Sequence, residues 1–443
     1  MADGHLDTKA PQTGETSPLH ILDPRLHADP SRVVLRPFHL GWQARNAPGG
    51  RAMKLVEDIL GMSEERAAAE YTRVLRDFKE RHWQTEAMFE DRFAEVDANL
   101  DIDLSGLTPM RQKLIGAFFC HEYTYAAAAL MNPSIVPHPD QSGCAGDAVR
   151  FVLSLRAVGE GHISSIVFRE GIAKTDGTFE LWPQSAFATS VELDDESLHD
   201  SDSAVTVHRQ ADSTLSNTVI FPITSQQSNG LEDLRLVRFD HGGEDFEWVG
   251  TYTAYSGSSI RSELLRTRDF RTFTLDPILG RAGRNKGMAL FPEKVGGRFA
   301  MVGRQDGKNL FYLTSDRVDT WDGEGVQMMT PEYPWEFIQI GNCGSPIKTD
   351  EGWLVFTHGV GAMRKYALGC ALFDLEEPWK LIGRVKEPVL TAVDADRAGY
   401  VPNVVYTCGA LRVGEHILVP YGISDSAVGF ASASVADLIA LMR

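Results

Sequence analysis

A long succession of short β-strand patterns, which begins after Asn132, limits the folds that this chain can adopt. Apolar runs rich in Val, Ile, Phe and Tyr are separated by Gly, Asp, Asn or Pro. Examples are RFVLSLRAV, LEDLRLVRF, FEWVGTYTAY, GWLVFTHGV and HILVPYGISD. Runs of this length and composition predict antiparallel strands, and many of them in series are typical of sandwiches, barrels and propellers. The sequence therefore predicts an all-β fold for this part of the chain.

Several strand groups end in a related turn, in which an acidic residue stands a few positions before an aromatic one. The segments are TDGTFELWP, TRDFRTFTLDP, SDRVDTWDG and LEEPWKLIGR. A unit that recurs along a chain favours propeller blades over one continuous sheet. Residues 132–443, at roughly 50 to 60 residues per blade, predict a five-bladed β-propeller, and SVADLIALM predicts a short C-terminal helix.

The residues before this domain have a different pattern. Residues 1–20 are polar and rich in Thr, Pro and Gly, which predicts a mobile tail. Residues 21–131 are predicted as a mainly helical N-terminal extension, because apolar residues recur there at helical spacing. Ser63 before two glutamates and Thr108 before a proline are typical helix starts.

The charge and the cysteines bear on partners and location. The formal net charge is −18, which repels polyanions, so we expect no nucleic-acid partner. No basic leader precedes an apolar run and no stretch of roughly 18 apolar residues occurs, so we expect neither export nor a membrane partner. Five cysteines without metal-like spacing fit reduced thiols and a cytoplasmic location.

The segment NGLEDLR, residues 229–235, places two adjacent carboxylates and an arginine at the start of a strand. Neighbouring like charges disfavour ionisation, so one of Glu232 and Asp233 could hold a proton near neutral pH, as a general acid must. Successive strand side chains point to opposite faces, so we expect only one of the two to face a given cavity. A solvated turn with a local ion pair is the alternative.

Three basic residues form a second candidate site. Arg156 ends FVLSLR, Lys286 lies in RNKGMALFP, and Arg304 follows FAMVG, each at the end of an apolar run. In a propeller such ends can converge on the central channel, where guanidinium forks suit phosphate oxygens. Solvated surface positions are the alternative for each residue.

Further polar residues stand at the ends of apolar runs. His358 and Tyr366 flank the Gly-rich loop of FTHGVGAMRKY, where the histidine could bind an anion, orient a sugar or cap a turn. Tyr406 and Asp425 follow apolar strand residues. The chain has no Walker A loop, Rossmann fingerprint, HExxH or GxSxG, so acid chemistry by carboxylates remains.

Ten segments, taken in order over about residues 132–430, resemble glycoside hydrolase family 130, the β-mannoside phosphorylases and β-mannosidases. They are NPSIVPHPDQ, LSLRA, GLEDLR, TYTAYSG, TRDF, NKGMALFP, GSPIKTDEGWLVFTHGV, YALGCALFDLEEP, GYVPNVVY and PYGISD. The resemblance implies a five-bladed propeller that acts with inversion. It also implies that Asp233 is the general acid, in a G-x-E-D-P-R motif whose proline is Leu234 here, and that its proton passes through a mannose hydroxyl.

The resemblance further implies two sets of binding residues. Inorganic phosphate would contact Arg156, Lys286, Arg304, His358 and Tyr366, and the mannosyl substrate would contact Asn132, Glu232, Tyr406 and Asp425. A fourth phosphate cation of the family, a lysine, is replaced by Gln339. Glutamine can donate a hydrogen bond to phosphate but cannot act as a general base.

The resulting expectation is an inverting β-mannoside phosphorylase that releases α-mannose 1-phosphate, with inorganic phosphate as co-substrate and no cofactor or metal. The alternative is a phosphate-independent inverting β-mannosidase, with Glu160 as the candidate base; a catalytically silent sugar-binding propeller is a third interpretation. Related proteins often use helical additions for oligomer contacts or to cover the acceptor site, so a homo-oligomer is also an expectation.

Overall fold

The computed structural model describes residues 18–38, 50–100, 103–144, 146–185, 187–194 and 203–443. Strands greatly outnumber helices in these residues, which confirms the prediction of a mostly β chain. Residues 1–17 of the predicted tail lie outside the described residues. Leu19 is already buried, and the first strand begins at the next residue.

The N-terminal part combines strands with a group of helices. Its elements are β1 (His20–His27), β2 (Val33–Pro37), α1 (Arg51–Leu60), α2 (Glu64–Phe78), α3 (Thr85–Asn99), α4 (Pro109–Phe118) and β3 (Cys120–Thr124). Both predicted helix starts are confirmed. The Ser63 side chain accepts the Arg66 backbone N–H at the start of α2, and Thr108 accepts that of Arg111 at the start of α4.

The rest of the described chain is a series of short strands. The first twelve are β4 (Ala129–Pro137), β5 (Ala148–Val158), β6 (Ser164–Lys174), β7 (Phe179–Leu181), β8 (Phe187–Ser190), β9 (Glu192–Leu193), β10 (Val205–His208), β11 (Thr218–Ile220), β12 (Gly230–Gly242), β13 (Asp245–Tyr255), β14 (Ile260–Thr267) and β15 (Thr272–Pro277). They are followed by β16 (Ala289–Leu290), β17 (Phe299–Gly303), β18 (Leu310–Ser315), β19 (Val326–Met329), β20 (Gln339–Asn342), β21 (Ile347–Lys348), β22 (Trp353–Val360), β23 (Tyr366–Phe373), β24 (Leu381–Arg384) and β25 (Leu390–Thr391). The last are β26 (Val405–Tyr406), β27 (Leu411–Val413), β28 (His416–Ile423), β29 (Ala427–Ser434) and the predicted C-terminal helix, α5 (Val435–Ala440).

Hydrogen bonding joins the described strands into four sheets. One contains β1 and β26 to β29, a 14-stranded sheet contains β2 to β15, and two smaller sheets contain β16 to β19 and β20 to β25. Most sequential neighbours pair antiparallel, as in β4, β5 and β6. None of these sheets closes on itself, so the predicted division into five blades stays a prediction.

Two pairings connect the N-terminal part to the β domain, that of β1 with β29 and that of β2 with β8. β1 lies in the predicted helical extension but pairs antiparallel with β29, near the C-terminal end of the chain. The predicted boundary between residues 131 and 132 falls inside β4. The extension and the β domain therefore share hydrogen-bonded sheets.

Apolar side chains are buried between neighbouring sheets. Phe291, just after β16, and Trp353 of β22 pack edge to face with ring centroids 5.0 Å apart. All eight residues of β22 are buried, so both faces of this strand are covered, which explains its nearly continuous apolar run. The polar residues near its end, Thr357 and His358, are consequently buried too.

The helices pack around their own apolar cluster, which includes Val56, Ile59, Leu114 and Ile115. α3 and α4 approach closely at Gly116. A Cβ atom built on Gly116 would lie 1.9 Å from the Phe89 carbonyl oxygen. The absence of a side chain at this position permits the contact between the two helices.

We expect Gly116→Ala to destabilise the protein by about 1 to 3 kcal/mol, because the added methyl group forces α3 and α4 apart. The measurement is the midpoint of urea or thermal unfolding. Gly146→Ala is the matched control, since nothing lies within 4 Å of a Cβ atom built there. Equal midpoints for Gly116→Ala and the unmodified protein would contradict this account of the helix contact.

Candidate active site

Two irregular strand positions form the centre of the site. The pairing of β4 with β5 shifts register between Met131 and Ser134, and that of β12 with β13 shifts between Glu232 and Arg235. At these irregularities Asn132 and Asp233 adopt left-handed backbone conformations, with φ of 50° and 58°. Left-handed non-glycine residues are uncommon and cluster at functional sites, and bulges redirect side chains. Here the Asn132 amide nitrogen donates a hydrogen bond to the Asp233 carboxylate.

Arg156 on β5 joins both members of the acidic pair. Its Nη2 atom donates to Glu232 Oε1 at 2.7 Å, and its Nη1 atom donates to Asp233 Oδ1 at 3.3 Å. Its Nε atom donates to Ser164 Oγ at 2.8 Å. The expectation that only one of the two carboxylates faces a given site is therefore wrong, because the irregularity at Asp233 breaks the strand alternation on which it rested.

Arg235 holds the backbone of Asp233 in place, and this contact was not predicted from the sequence. Its side chain is 2% exposed. Nη1 donates to the backbone carbonyl of Asp233 at 3.0 Å, and Nη2 donates to the Tyr406 hydroxyl at 2.7 Å. Arg235 thus connects the acidic turn to a predicted substrate-binding tyrosine. The position of Arg235 in NGLEDLR could have indicated this contact, because residues two positions apart on a strand point to the same face.

His358 lies among aromatic rings at the end of β22. Its ring stacks on Tyr366 with centroids 5.9 Å apart and lies 4.8 Å from the centroid of Tyr406. Burial, with the nearby charges of Arg304 and Arg235, lowers the pKa of His358 well below its usual value. The imidazole is therefore neutral at physiological pH and offers one donor and one acceptor nitrogen.

Arg304 packs beside His358 because two glycines leave space for it. A Cβ atom on Gly341 of β20 would lie 2.5 Å from Arg304 Cδ and 2.5 Å from His358 Cε1. Gly287, with φ of +86°, faces the Arg304 guanidinium, and a Cβ atom there would lie 2.9 Å from Nη2. The Nε atom of Arg304 is buried and has no hydrogen-bond partner within the part of the chain that the structure describes.

The predicted phosphate residue Lys286, and Gln339, which stands where the family has a lysine, lie at the edge of this group. Lys286 precedes Gly287 and is exposed, and its charge favours ionisation of both Glu232 and Asp233. Gln339 begins β20, opposite Val360, and is half-buried. The charges of Arg156 and Lys286 thus favour ionisation of the acidic pair, while the charge of Arg304 favours the neutral form of His358.

The carboxylates of the site have different pKa values. Burial opposes ionisation of Asp233, but Arg156, Arg235 and the Asn132 amide together lower its pKa. Burial and the negative charge of Asp233 raise the pKa of Glu232, although Arg156 and Lys286 act in the opposite direction. Without substrate, Glu232 therefore holds a proton more readily than the predicted acid, Asp233.

Asp425 is the third carboxylate of the group. It follows β28 in a left-handed conformation, with φ of 50°. Burial and the negative charge of Asp233 raise its pKa to about 6, although Arg156 and Arg364 act in the opposite direction. Asp425 is thus close enough to the acidic pair to respond to its charge.

A mostly β fold with three carboxylates, four basic residues and aromatic rings at neighbouring strand ends fits a carbohydrate-active enzyme. The sequence profile of glycoside hydrolase family 130, described as beta-1,4-mannooligosaccharide phosphorylase, matches residues 190–443. The chain belongs to glycoside hydrolase family 130 and is an enzyme.

Two curated relatives are similar over about half of this chain. A 1,2-beta-oligomannan phosphorylase from Thermoanaerobacter sp. (strain X514) is 33% identical over 229 residues, which cover 48% of this chain and 72% of the relative. A beta-1,4-mannooligosaccharide phosphorylase from Ruminococcus albus is 31% identical over 213 residues, which cover 44% of this chain and 61% of the relative. Both relatives are named as phosphorylases of mannosides.

Solved structures share the fold. One, described with the glycoside hydrolase family 130 enzymes that target beta-1,2 mannosidic linkages in Candida mannan, has a TM-score of 0.53 at 19% identity, over 71% of this chain and 87% of the other. A glycosyl hydrolase from Bacteroides ovatus has a TM-score of 0.51 at 18% identity, over 71% and 87% of the two chains.

In the described ranges of the present chain, no helix has the length and apolar character needed to cross a membrane.

We expect Asp233→Asn to lower the pKa of Asp425 from about 6 towards the ordinary aspartate range, because it removes a negative charge that opposes ionisation. Burial remains, so the pKa should stay above 3.8. Carboxyl titration by NMR of aspartate-labelled protein measures the change. Asp316→Asn on the exposed surface is the control and should leave Asp425 unchanged. An unchanged pKa in Asp233→Asn would contradict the coupling.

Proposed function

We propose that this chain is an inverting β-mannoside phosphorylase, which converts a β-linked mannosyl oligosaccharide and inorganic phosphate to α-mannose 1-phosphate and a shortened acceptor. The observation that carries the proposal is the contact of Arg156 with both Asp233 and Glu232, beside Lys286. The contact puts candidate acid and anion-binding groups within one site. The family and the phosphorylase names of the relatives support the same reaction.

In the proposed reaction a phosphate oxygen attacks the anomeric carbon from the face opposite the leaving oxygen. The bond between the anomeric carbon and the leaving oxygen breaks, and that oxygen takes up a proton that originates on Asp233. The family resemblance implies that a mannose hydroxyl relays this proton. Asp233 ends as a carboxylate and regains a proton from phosphate or solvent before the next cycle.

The low pKa of Asp233 in the free enzyme requires that binding promotes its protonation. Arg156 contributes to that low pKa and is also a proposed phosphate ligand. Phosphate at Arg156 would compete for its N–H groups and add negative charge beside Asp233. Both effects raise the pKa of a carboxyl group. We therefore propose that phosphate binding helps to prepare the acid.

The other phosphate contacts are assigned by chemistry and position. Arg304 has an unpartnered buried Nε atom, and the neutral His358 beside it can donate one hydrogen bond. Lys286 adds positive charge from the edge of the site, and Tyr366 lies against the His358 ring. Guanidinium forks together with a lysine point charge are a common way to bind phosphate.

The mannosyl ring is assigned to the polar groups around Asp233. Asn132 contacts Asp233 directly, and Tyr406 is fixed by Arg235. Glu232 and Asp425 have raised pKa values, so they can donate as well as accept hydrogen bonds when protonated. These four residues can therefore contact sugar hydroxyls from several directions.

Hydrolysis is the second candidate function, because Gln339 stands where the family places a phosphate-binding lysine. A hydrolase of this type needs a carboxylate that activates water. Glu160, the candidate, is exposed in the turn after β5, and its backbone carbonyl accepts a hydrogen bond from the Tyr123 hydroxyl. No contact in the described part of the chain ties the Glu160 carboxylate to the acidic pair, which favours phosphorolysis.

We also propose the finer features that accompany this function. Five strand groups correspond to five blades: β4 to β7, β10 with β12 to β15, β16 to β19, β20 to β25, and β1 with β26 to β29.

The reaction needs inorganic phosphate but no cofactor or metal. A cytoplasmic location would supply phosphate and retain the sugar phosphate.

We expect turnover of β-mannobiose to depend on inorganic phosphate and to yield mannose 1-phosphate. The assay compares a panel of β-1,2- and β-1,4-mannobioses with and without phosphate and quantifies mannose 1-phosphate and free mannose. Arg304→Gln should raise KM for phosphate by about tenfold or more, since it removes a charged hydrogen-bond donor. Arg317→Gln on the surface is the control. Equal turnover without phosphate would reject phosphorolysis in favour of hydrolysis.

We expect Asp233→Asn to lower kcat by about 100-fold or more, since a positioned general acid contributes that much. Sugar binding by the variant should persist, as measured by calorimetry with β-mannobiose. Asp316→Asn is the matched surface control. A kcat within about tenfold of the unmodified enzyme would assign the proton to another group, and Glu232→Gln would then be the next variant.

A further inference from the structure

A cavity of about 310 Å³ lies apart from the candidate active site, between the β1–β2 segment and strands β4 to β6. Its apolar wall contains Leu130, Leu155 and Val167. Leu155 precedes Arg156 on β5, and successive strand residues face opposite sides. The cavity and the active site therefore use opposite faces of the same strand.

Three arginines line this cavity, Arg25, Arg32 and Arg169, together with the carboxylate of Asp29. Arg32 lies 3.5 Å from Asp29 and donates to the Ser185 carbonyl at 3.2 Å. Arg169 donates to the Trp182 carbonyl at 2.8 Å, and its Nε atom is buried without a partner. Among the described residues, no carboxylate oxygen lies within 4.0 Å of the Arg169 guanidinium.

The electrostatics of the cavity favour an anion. Burial and the nearby charge of Arg32 lower the pKa of Arg169, so the two guanidinium groups are close enough for their positive charges to repel. Arg25 also lines the cavity but is held by the Asp396 carboxylate at 2.5 and 3.2 Å. With Arg25 balanced by Asp396 and Arg32 by Asp29, the charge of Arg169 leaves the lining net positive, in a chain whose formal net charge is −18.

We propose that this cavity binds a small phosphate monoester, with its phosphate group between Arg32 and Arg169. Paired guanidinium groups suit a phosphate dianion, to which each can donate two parallel hydrogen bonds. Tyr125 is buried and also lines the cavity. The volume is at the lower end of ligand pockets, so it accommodates an organic group on the phosphate, packed against the apolar wall.

The test measures binding of radiolabelled glucose 6-phosphate by equilibrium dialysis, in an Arg304→Gln background that weakens the proposed phosphate site of the active centre. We expect one ester bound per chain. Adding Arg169→Gln or Arg32→Gln should weaken this binding by about tenfold or more, because each removes a charged hydrogen-bond donor. Arg317→Gln is the surface control, and thermal unfolding of each variant checks that it is folded.

Absence of ester binding in the Arg304→Gln background would overturn the proposal. So would binding that neither Arg169→Gln nor Arg32→Gln weakens, or a site that accepts inorganic phosphate but excludes the ester. Arg169→Lys offers a second check, since it keeps the charge and should recover part of the affinity that Arg169→Gln loses. The readout is binding rather than turnover, so the result is independent of whether the active site performs phosphorolysis.

Discussion

The contact of Arg156 with two adjacent carboxylates is the interaction on which the site depends. A regular strand would direct Glu232 and Asp233 to opposite faces, and a single guanidinium could not reach both. The irregularity at Asp233 removes that restriction, and the hydrogen bonds from Asn132 and Arg235 hold the displaced residue in place. Three strands thus cooperate to keep one residue in an unusual backbone conformation.

The residues of the candidate active site differ in how deeply they are buried. Arg235 and His358 are almost fully buried, whereas Lys286 is exposed. Buried charges interact more strongly than exposed ones because the local dielectric constant is lower. Arg235 consequently acts on Asp233 as a fixed structural charge. Lys286, on its flexible stem at the edge, can adjust to a ligand.

The sequence was sufficient for the strand-rich architecture, because apolar periodicity and turn residues depend on local composition. It was also sufficient for helix starts such as those at Ser63 and Thr108, where one side chain accepts a backbone N–H of the first turn. The family resemblance identified residues such as Asp233 and His358, which the structure places within one neighbourhood. Their roles are assigned from their chemistry and from the family.

Other features could not be predicted from the sequence. The irregularities at Asn132 and Asp233 are properties of strand pairing, and residue types alone do not specify a local shift in register. The pKa difference between Glu232 and Asp233 depends on which donors reach which oxygen. The pairing of β1 with β29 connects segments that no local pattern relates.

The pairing of β1 with β29 also bears on how the chain is made. The ribosome synthesises β1 long before residue 427, so the backbone groups of β1 have no partner strand while most of the β domain is being made. Contacts this distant in sequence slow folding because a long loop must close first. During synthesis β1 is therefore an unpaired edge available to other chains, and the nascent chain is most prone to aggregation before its C-terminal strands emerge.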